Sequence, residues 1–221
     1  MTASDWSALR LSLLVAVGAT LWITPFALLA GWWIGHGRPR ARALWETLIA
    51  LPLVLPPVVV GFIILYLCAP RGPLSGFWQL LGGSPAFTPW GAILACGIVA
   101  FPFLARSAIA AFSTVDERLT AAAAGFGAGP WMIARTVVWP QVKPALWSGL
   151  VLAFGRALGE FGATVVVAGN IPGLTQTIPS AIYQRIQVGD DAGAMRLVVT
   201  AAVLALVTIG WATALVHRKR I

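Results

Sequence analysis

From Leu11 to Gly35 the chain carries no charged side chain, and the same holds from Thr47 to Pro70, from Gly72 to Ala105 and from Leu197 to Val216. A helix rises about 1.5 Å per residue, so about 20 such residues cross the roughly 30 Å of a bilayer's hydrocarbon. No water is present there to pair with backbone groups, which leaves helices and closed barrels as the spanning structures. Barrel strands alternate apolar and polar residues, and these runs do not. Composition agrees: 59% of the 221 residues are hydrophobic and 10% are charged, against roughly 25% charged in soluble domains. A soluble domain is excluded. So is a disordered chain, which needs low hydrophobicity and high charge.

Five blocks have the length of a span, at about 11–34, 47–69, 86–105, 145–168 and 197–216, which predicts one all-α integral membrane domain over 1–221. The first is too long for the apolar part of a cleaved signal and is expected to remain as a span. The stretch from about Leu174 to Ile186 holds Thr175, Gln176, Thr177, Pro179, Ser180, Gln184 and Arg185. It is too short and too polar to cross, and reads as a surface or re-entrant segment.

The net charge of +8 is spread between the apolar blocks and not gathered on one face, so it reports topology and not nucleic-acid binding. One set of connections holds Arg38, Arg40, Arg42, Arg106, Arg118, Arg135, Lys143, Arg218, Lys219 and Arg220; the other holds Arg10, Arg71, Arg185 and Arg196. Basic connections stay in the cytoplasm. The expected topology has the N-terminus outside, the C-terminus inside, and the long connection 106–143 cytoplasmic.

The chemistry that is missing narrows the function. A P-loop needs a lysine in a glycine-rich frame, and the two lysines, Lys143 and Lys219, have no such frame. His36 and His217 stand apart from any Cys, His or carboxylate cluster with metal-ligand spacing. No nucleophile and base arrangement stands out, so neither catalysis nor a cofactor bound by this chain is expected. Cys68 and Cys96 lie in apolar segments and read as small core residues.

Several segments leave two readings open. In Leu51-Pro-Leu-Val-Leu-Pro-Pro57 the prolines force a kink or an unwinding; Pro56 and Pro57 then mark either a packing kink or a helix broken where it lines a pathway. The connection 106–143 predicts two short helices joined by glycine. The first is alanine-rich and is stopped by Gly127 or Gly129; the second starts at Pro130. Together they form a compact knob or a packing elbow. Arg156 and Glu160, four apart on the expected fourth helix, can pair side by side and are turned from lipid.

These residues carry a resemblance. The Ala122-Ala123…Gly127 pattern followed by Val137-Val138-Trp139-Pro140 resembles the cytoplasmic "EAA" loop of binding-protein-dependent ABC importer permeases. Three further segments resemble the molybdate permeases of that group: Leu51 to Gly61, Gly155 to Thr164 and Asn170 to Tyr183. The likeness implies the MetI-like permease fold, with a cytoplasmic coupling helix, in a bacterial inner membrane. It also implies a homodimer, two separate ABC ATPase subunits holding ATP and Mg, and a periplasmic oxyanion-binding protein.

By that resemblance the coupling element runs from Leu119 to Trp131, with Thr120, Ala122, Ala123 and Gly129 in it and Gly127 at the turn. The family glutamate is absent: Thr120 and Ala121 stand in its region, and Glu117 is the nearest acid. Arg156 and Glu160 either lock packing near the dimer axis or tune the pathway for an anion. Asn170, Thr175, Thr177 and Ser180 offer neutral donors in either a capped loop helix or an external gate. Asp190 and Asp191 are docking charges or a solvated turn. Tungstate, sulfate and thiosulfate are alternative cargoes, and a stand-alone anion channel or carrier is the rival from another class.

Overall fold

The computed structural model describes residues 1–35 and 39–217, with side chains given for 1–35 and 41–210. His36, Arg38, Arg218, Lys219 and Arg220 lie outside the described residues, as do the side chains of Arg40 and His217. The described residues form eleven α-helices, in order α1 Ala3–Gly35, α2 Pro39–Val54, α3 Pro57–Cys68, α4 Ser75–Leu80, α5 Pro89–Ser113, α6 Glu117–Gly125, α7 Pro130–Ile133, α8 Trp139–Leu158, α9 Gly162–Ala168, α10 Ile178–Gln187 and α11 Asp191–His217. No strand occurs among the described residues.

Among the described residues three helices are long and apolar enough to cross a membrane as single rods: α1, α5 and α11. The second and fourth expected spans are not straight. Between α2 and α3 the chain turns by 103°, and between the rod ending at Leu158 and α9 it turns by 61°, so the number reaches five only if each bent pair is one span. The first turn has a clear cause. Proline has no N–H to donate and its ring clashes with the preceding turn, and Pro56 and Pro57 follow each other. Pro56 adopts an extended backbone, with φ −54° and ψ 134°, and Pro57 opens α3, a first-turn position that needs no N–H.

The centre is α1 packed on α5, with α8 against both. Hydrocarbon outside gives no hydrophobic drive for helices to associate, so close backbone approach through small residues takes its place. Ala16, Ala19 and Ala27 of α1 are buried with Ala92, Ala100 and Ala105 of α5. A Cβ at Gly31 would stand 2.6 Å from Ala108 Cβ. Cys96 belongs to this core and Cys68 to the one beneath α3, both as free thiols.

A second close approach joins α3 to α9. A Cβ at Gly61 would lie 2.9 Å from both the Cα and the carbonyl oxygen of Ala163. Gly to Ala gains up to about 1 kcal/mol of helix propensity, but overpacking against backbone costs about 1–3 kcal/mol. Gly61→Ala is therefore expected to lower the melting temperature of the detergent-extracted protein. Gly76→Ala in α4, where a Cβ meets nothing within 4 Å, is expected to leave it unchanged or raise it.

Candidate translocation site and coupling knob

The two bends meet. A Cβ at Gly162 would be 3.0 Å from Pro57 Cβ, so the first turn of α9 lies against the first turn of α3. Breaks in membrane helices persist where other groups satisfy the freed backbone, and two such partners stand at the second break. Cys96 Sγ donates to the Ala157 carbonyl at 3.4 Å, near the end of α8. Thr164 Oγ1 donates to the Phe161 carbonyl at 2.9 Å.

Glu160 holds the second break. The helix expected to carry Arg156 and Glu160 together ends at Leu158, and Glu160 sits in the turn, its N–H donating to the Ala157 carbonyl at 3.3 Å. The tight turn still leaves the side chains adjacent: Arg156 Nη1 and Glu160 Oε2 are 2.6 Å apart. The other carboxylate oxygen, Oε1, accepts the Ala163 N–H at 2.7 Å and caps the start of α9. Burial is unequal, with the Glu160 side chain 1% exposed and Arg156 29%. The acid is anchored; the guanidinium keeps an open side.

The hydroxyls expected near one end of the bundle are turned inward. Thr175, Thr177 and Ser180 are all buried. Thr175 Oγ1 accepts the Ile171 N–H at 3.0 Å, while Ser180 Oγ accepts the Thr177 N–H at 2.9 Å as half of a reciprocal cap on α10. They complete the chain's own turns and do not present donors to a passing ligand. Asn170 differs: its Nδ2 donates to Gln184 Oε1 at 3.3 Å, and its Oδ1 is buried without a hydrogen-bond partner.

Asp190 is not a free docking charge. Arg185 Nη1 pairs with it at 2.8 Å, and Asp190 Oδ1 accepts the Gly193 N–H at 2.9 Å, capping α11. Asp191 is exposed beside it. The other arm of Arg185 pairs with the buried Asp5 of α1. With Ser12 Oγ accepting the Ile178 N–H at 2.7 Å, this fastens α10 to the start of α1. Sequence reading missed Asp5 because its partner lies far along the chain.

At the opposite end of the bundle stands the knob. Asp116 Oδ1 accepts the Arg118 N–H at 2.8 Å and caps α6, with Glu117 as the first helical residue. Gly127 has φ 81° and makes the left-handed turn, whereas Gly129 is extended, with φ −70°, and precedes α7. Thr120 and Ala123 are half-buried, and Ala122 is exposed. Leu119 and Trp131 are exposed, together with Phe126, at 93%, and Met132. Sequence reading passed over Phe126 and Met132; a large apolar residue between Gly125 and Gly127 was the available signal. Such a cluster marks an interaction surface.

The second knob helix is not separate from the fourth span. A π-helical turn over Ala134–Val138 joins α7 to α8, and Pro130–Leu158 behaves as one rod. The cause is Pro140, whose ring would clash with the carbonyl four residues back in a regular helix. Widening the turn, so that the Trp139 N–H reaches the Ala134 carbonyl, removes the conflict.

Apolar rods, two opposed breaks around a paired charge and an exposed apolar knob define a membrane transport subunit. The family model described as "Binding-protein-dependent transport system inner membrane component" matches residues 27–221. The chain belongs to this family and is a permease subunit of the ABC importer type, a transport component and not itself a catalyst. It is 40% identical over 211 residues to the molybdenum transport system permease protein ModB of Escherichia coli, covering 95% of this chain and 92% of that one. In fold it is similar to a bacterial ABC transporter involved in the import of alginate, with TM-score 0.77 at 19% identity over 99% of this chain and 80% of that chain. The methionine transporter MetNI matches with TM-score 0.68 at 18% identity over 99% of each chain, which gives the MetI-like permease fold.

Proposed function

We propose that the chain carries molybdate through an ATP-driven importer of the bacterial inner membrane, as a homodimer working by alternating access. The observation that carries this reading is the unbroken rod Pro130–Leu158. The exposed Trp131 stands at its start, and Arg156 near its end is paired with Glu160 at the break. Two ABC ATPase subunits, which bind ATP and Mg, dock on Leu119, Phe126 and Trp131. Their closure moves the rods. This chain binds no cofactor, so the drive comes from contacts that differ between two states.

A periplasmic binding protein delivers the oxyanion at the end where α10 lies. The charge asymmetry supports this orientation, with the N-terminus outside and the C-terminus cytoplasmic. Inside, the exposed side of Arg156 attracts the dianion, and Glu160 holds the rest of its charge so that the anion passes without being trapped. Pro56 and Pro57 keep the break between α2 and α3 beside this point. Asn170 and α10 form the external gate, and the buried Thr175, Thr177 and Ser180 hold its shape. Likeness to molybdenum permeases supports the choice of anion.

The test is ATP hydrolysis in liposomes containing the chain and its ATPase, with binding protein loaded with molybdate, tungstate or sulfate. Several-fold stimulation by the molybdate-loaded form is expected. Stimulation by the sulfate-loaded form alone would reassign the cargo. Anion flux with no ATPase bound would make the chain a channel or carrier.

A further inference from the structure

The rod Pro130–Leu158 explains how movement at the knob reaches the break, but not how it reaches the far end of the bundle. The covalent continuation through α9 is a poor transmitter. That helix is held by α3, through the Gly61–Ala163 approach, by α5, where a Cβ at Gly91 would be 3.2 Å from Val167, and by the Phe87 N–H just before α5, bonded to the Val167 carbonyl at 2.9 Å. Beyond it, Gly169 and Gly173 both have positive φ, 73° and 78°, in the connection to α10. Glycines permit such angles at little cost and resist rotation weakly.

The helix α10 packs at the far end, on the starts of α1 and α11, two helices that α8 also touches along their length. Its Ile178 and Ala181 are buried with Ala8 of α1 and Leu197 of α11, and Arg185 ties it to Asp5 and Asp190. One ring contact reaches from the break directly to α10. Phe161, the residue after Glu160, packs against Tyr183 of α10 with centroids 5.1 Å apart and planes tilted by 48°. Glu160 fixes the backbone on which Phe161 sits, so a shift of the rod's end shifts that ring.

We infer that the Phe161–Tyr183 contact is the joint through which the α7–α8 rod moves α10, making both side chains positioning residues for the outer gate. The inference rests on the importer reading. Tyr183 is half exposed and Phe161 partly buried, so neither ring is a core filler on which the fold depends. The Tyr183 hydroxyl is within 3.1 Å of Gln187 Nε2 on its own helix. The ring, not the hydroxyl, therefore makes the bridge, and aromatic pairs carry a preferred geometry that an aliphatic side chain lacks.

The experiment measures ATP hydrolysis and molybdate uptake in the same proteoliposomes, with the complete transporter and loaded binding protein. Wild type, Phe161→Ala, Tyr183→Ala, Tyr183→Leu and Tyr183→Phe are compared. The expected result is hydrolysis close to wild type with uptake per ATP reduced about tenfold or more in the first three variants, a coupling loss in the ordinary allosteric range. Tyr183→Phe keeps the wild-type ratio. If Tyr183→Ala fails to assemble, Tyr183→Leu reads the same ratio with an apolar side chain in place. A wild-type ratio in Phe161→Ala and Tyr183→Leu overturns the joint, as does an equal loss in Tyr183→Phe. Failure of the wild type to import any oxyanion with ATP overturns the importer reading instead.

Discussion

Replacing both members of the charged pair, as Arg156→Ala with Glu160→Gln, is expected to leave the chain at near-normal membrane levels and to reduce oxyanion uptake on the order of 100-fold, within the range for loss of one close charge–charge contact of about 1.5–7 kcal/mol. The double variant is needed because the single one confounds two effects. Arg156→Ala alone leaves a carboxylate 1% exposed that still accepts the Ala163 N–H, and stripping a buried charge of its partner costs about 3–5 kcal/mol. Low protein levels would then mimic lost transport. Glutamine at 160 keeps an oxygen to cap α9 and carries no charge, so the break stays formed.

Arg156→Lys refines the test. Lysine keeps the charge as a point on a flexible stem but loses the planar fork, so partial uptake is expected. Uptake by purified, reconstituted protein measures all three variants. Activity of the double variant within threefold of wild type would reduce the pair to a packing device.

What could be read beforehand depended on how local the cause was. Charge-free runs are local, and the stretches 11–34, 86–105 and 197–216 overlap the longer or shifted helices α1, α5 and α11. Proline chemistry is local too, so a break near Pro56 and Pro57 was legible, although its angle of 103° was not. Cutting the second span at the charges went wrong because α2 runs through them. Arg42 Nε and Glu46 Oε1 pair at 2.7 Å along its side, a helix-supporting arrangement.

The break at Gly159–Phe161 was missed for a related reason. Four-residue spacing between Arg156 and Glu160 suits both a continuous helix and a tight turn, and the pattern cannot separate them. Glycines at 155, 159 and 162 were the overlooked signal, since each weakens the helix. For Thr175, Thr177 and Ser180 the residue types were legible but their direction was not, because hydroxyls serve caps as readily as ligands. Asp5 with Arg185 and Phe161 with Tyr183 depend on tertiary packing, and no local pattern announces them.

Phe126→Asp combined with Trp131→Asp is expected to abolish copurification of the ATPase while leaving the membrane bundle folded. The reasoning starts from burial. Phe126 and Trp131 are 93% and 78% exposed, and they touch little of their own chain, so their loss removes almost nothing from the fold. A large apolar side chain gains about 1.5–3 kcal/mol on burial, and aromatic anchors at interfaces often cost 2 kcal/mol or more on truncation. Each alanine variant alone should weaken association on the order of 30-fold. Aspartate adds the desolvation of a charge in the same groove, which two sites together make prohibitive. Leu206→Asp in α11 is no control, because a charge on an apolar span is costly in itself; Leu206→Ala, exposed at 73% far along the chain, is the suitable one and should copurify normally. Quantifying ATPase recovered per permease, beside a thermal melt of each variant, reads both effects. Stoichiometric ATPase on the double aspartate variant would mean that the rod's start is not where force enters, and the route from knob to Arg156 would have to be abandoned.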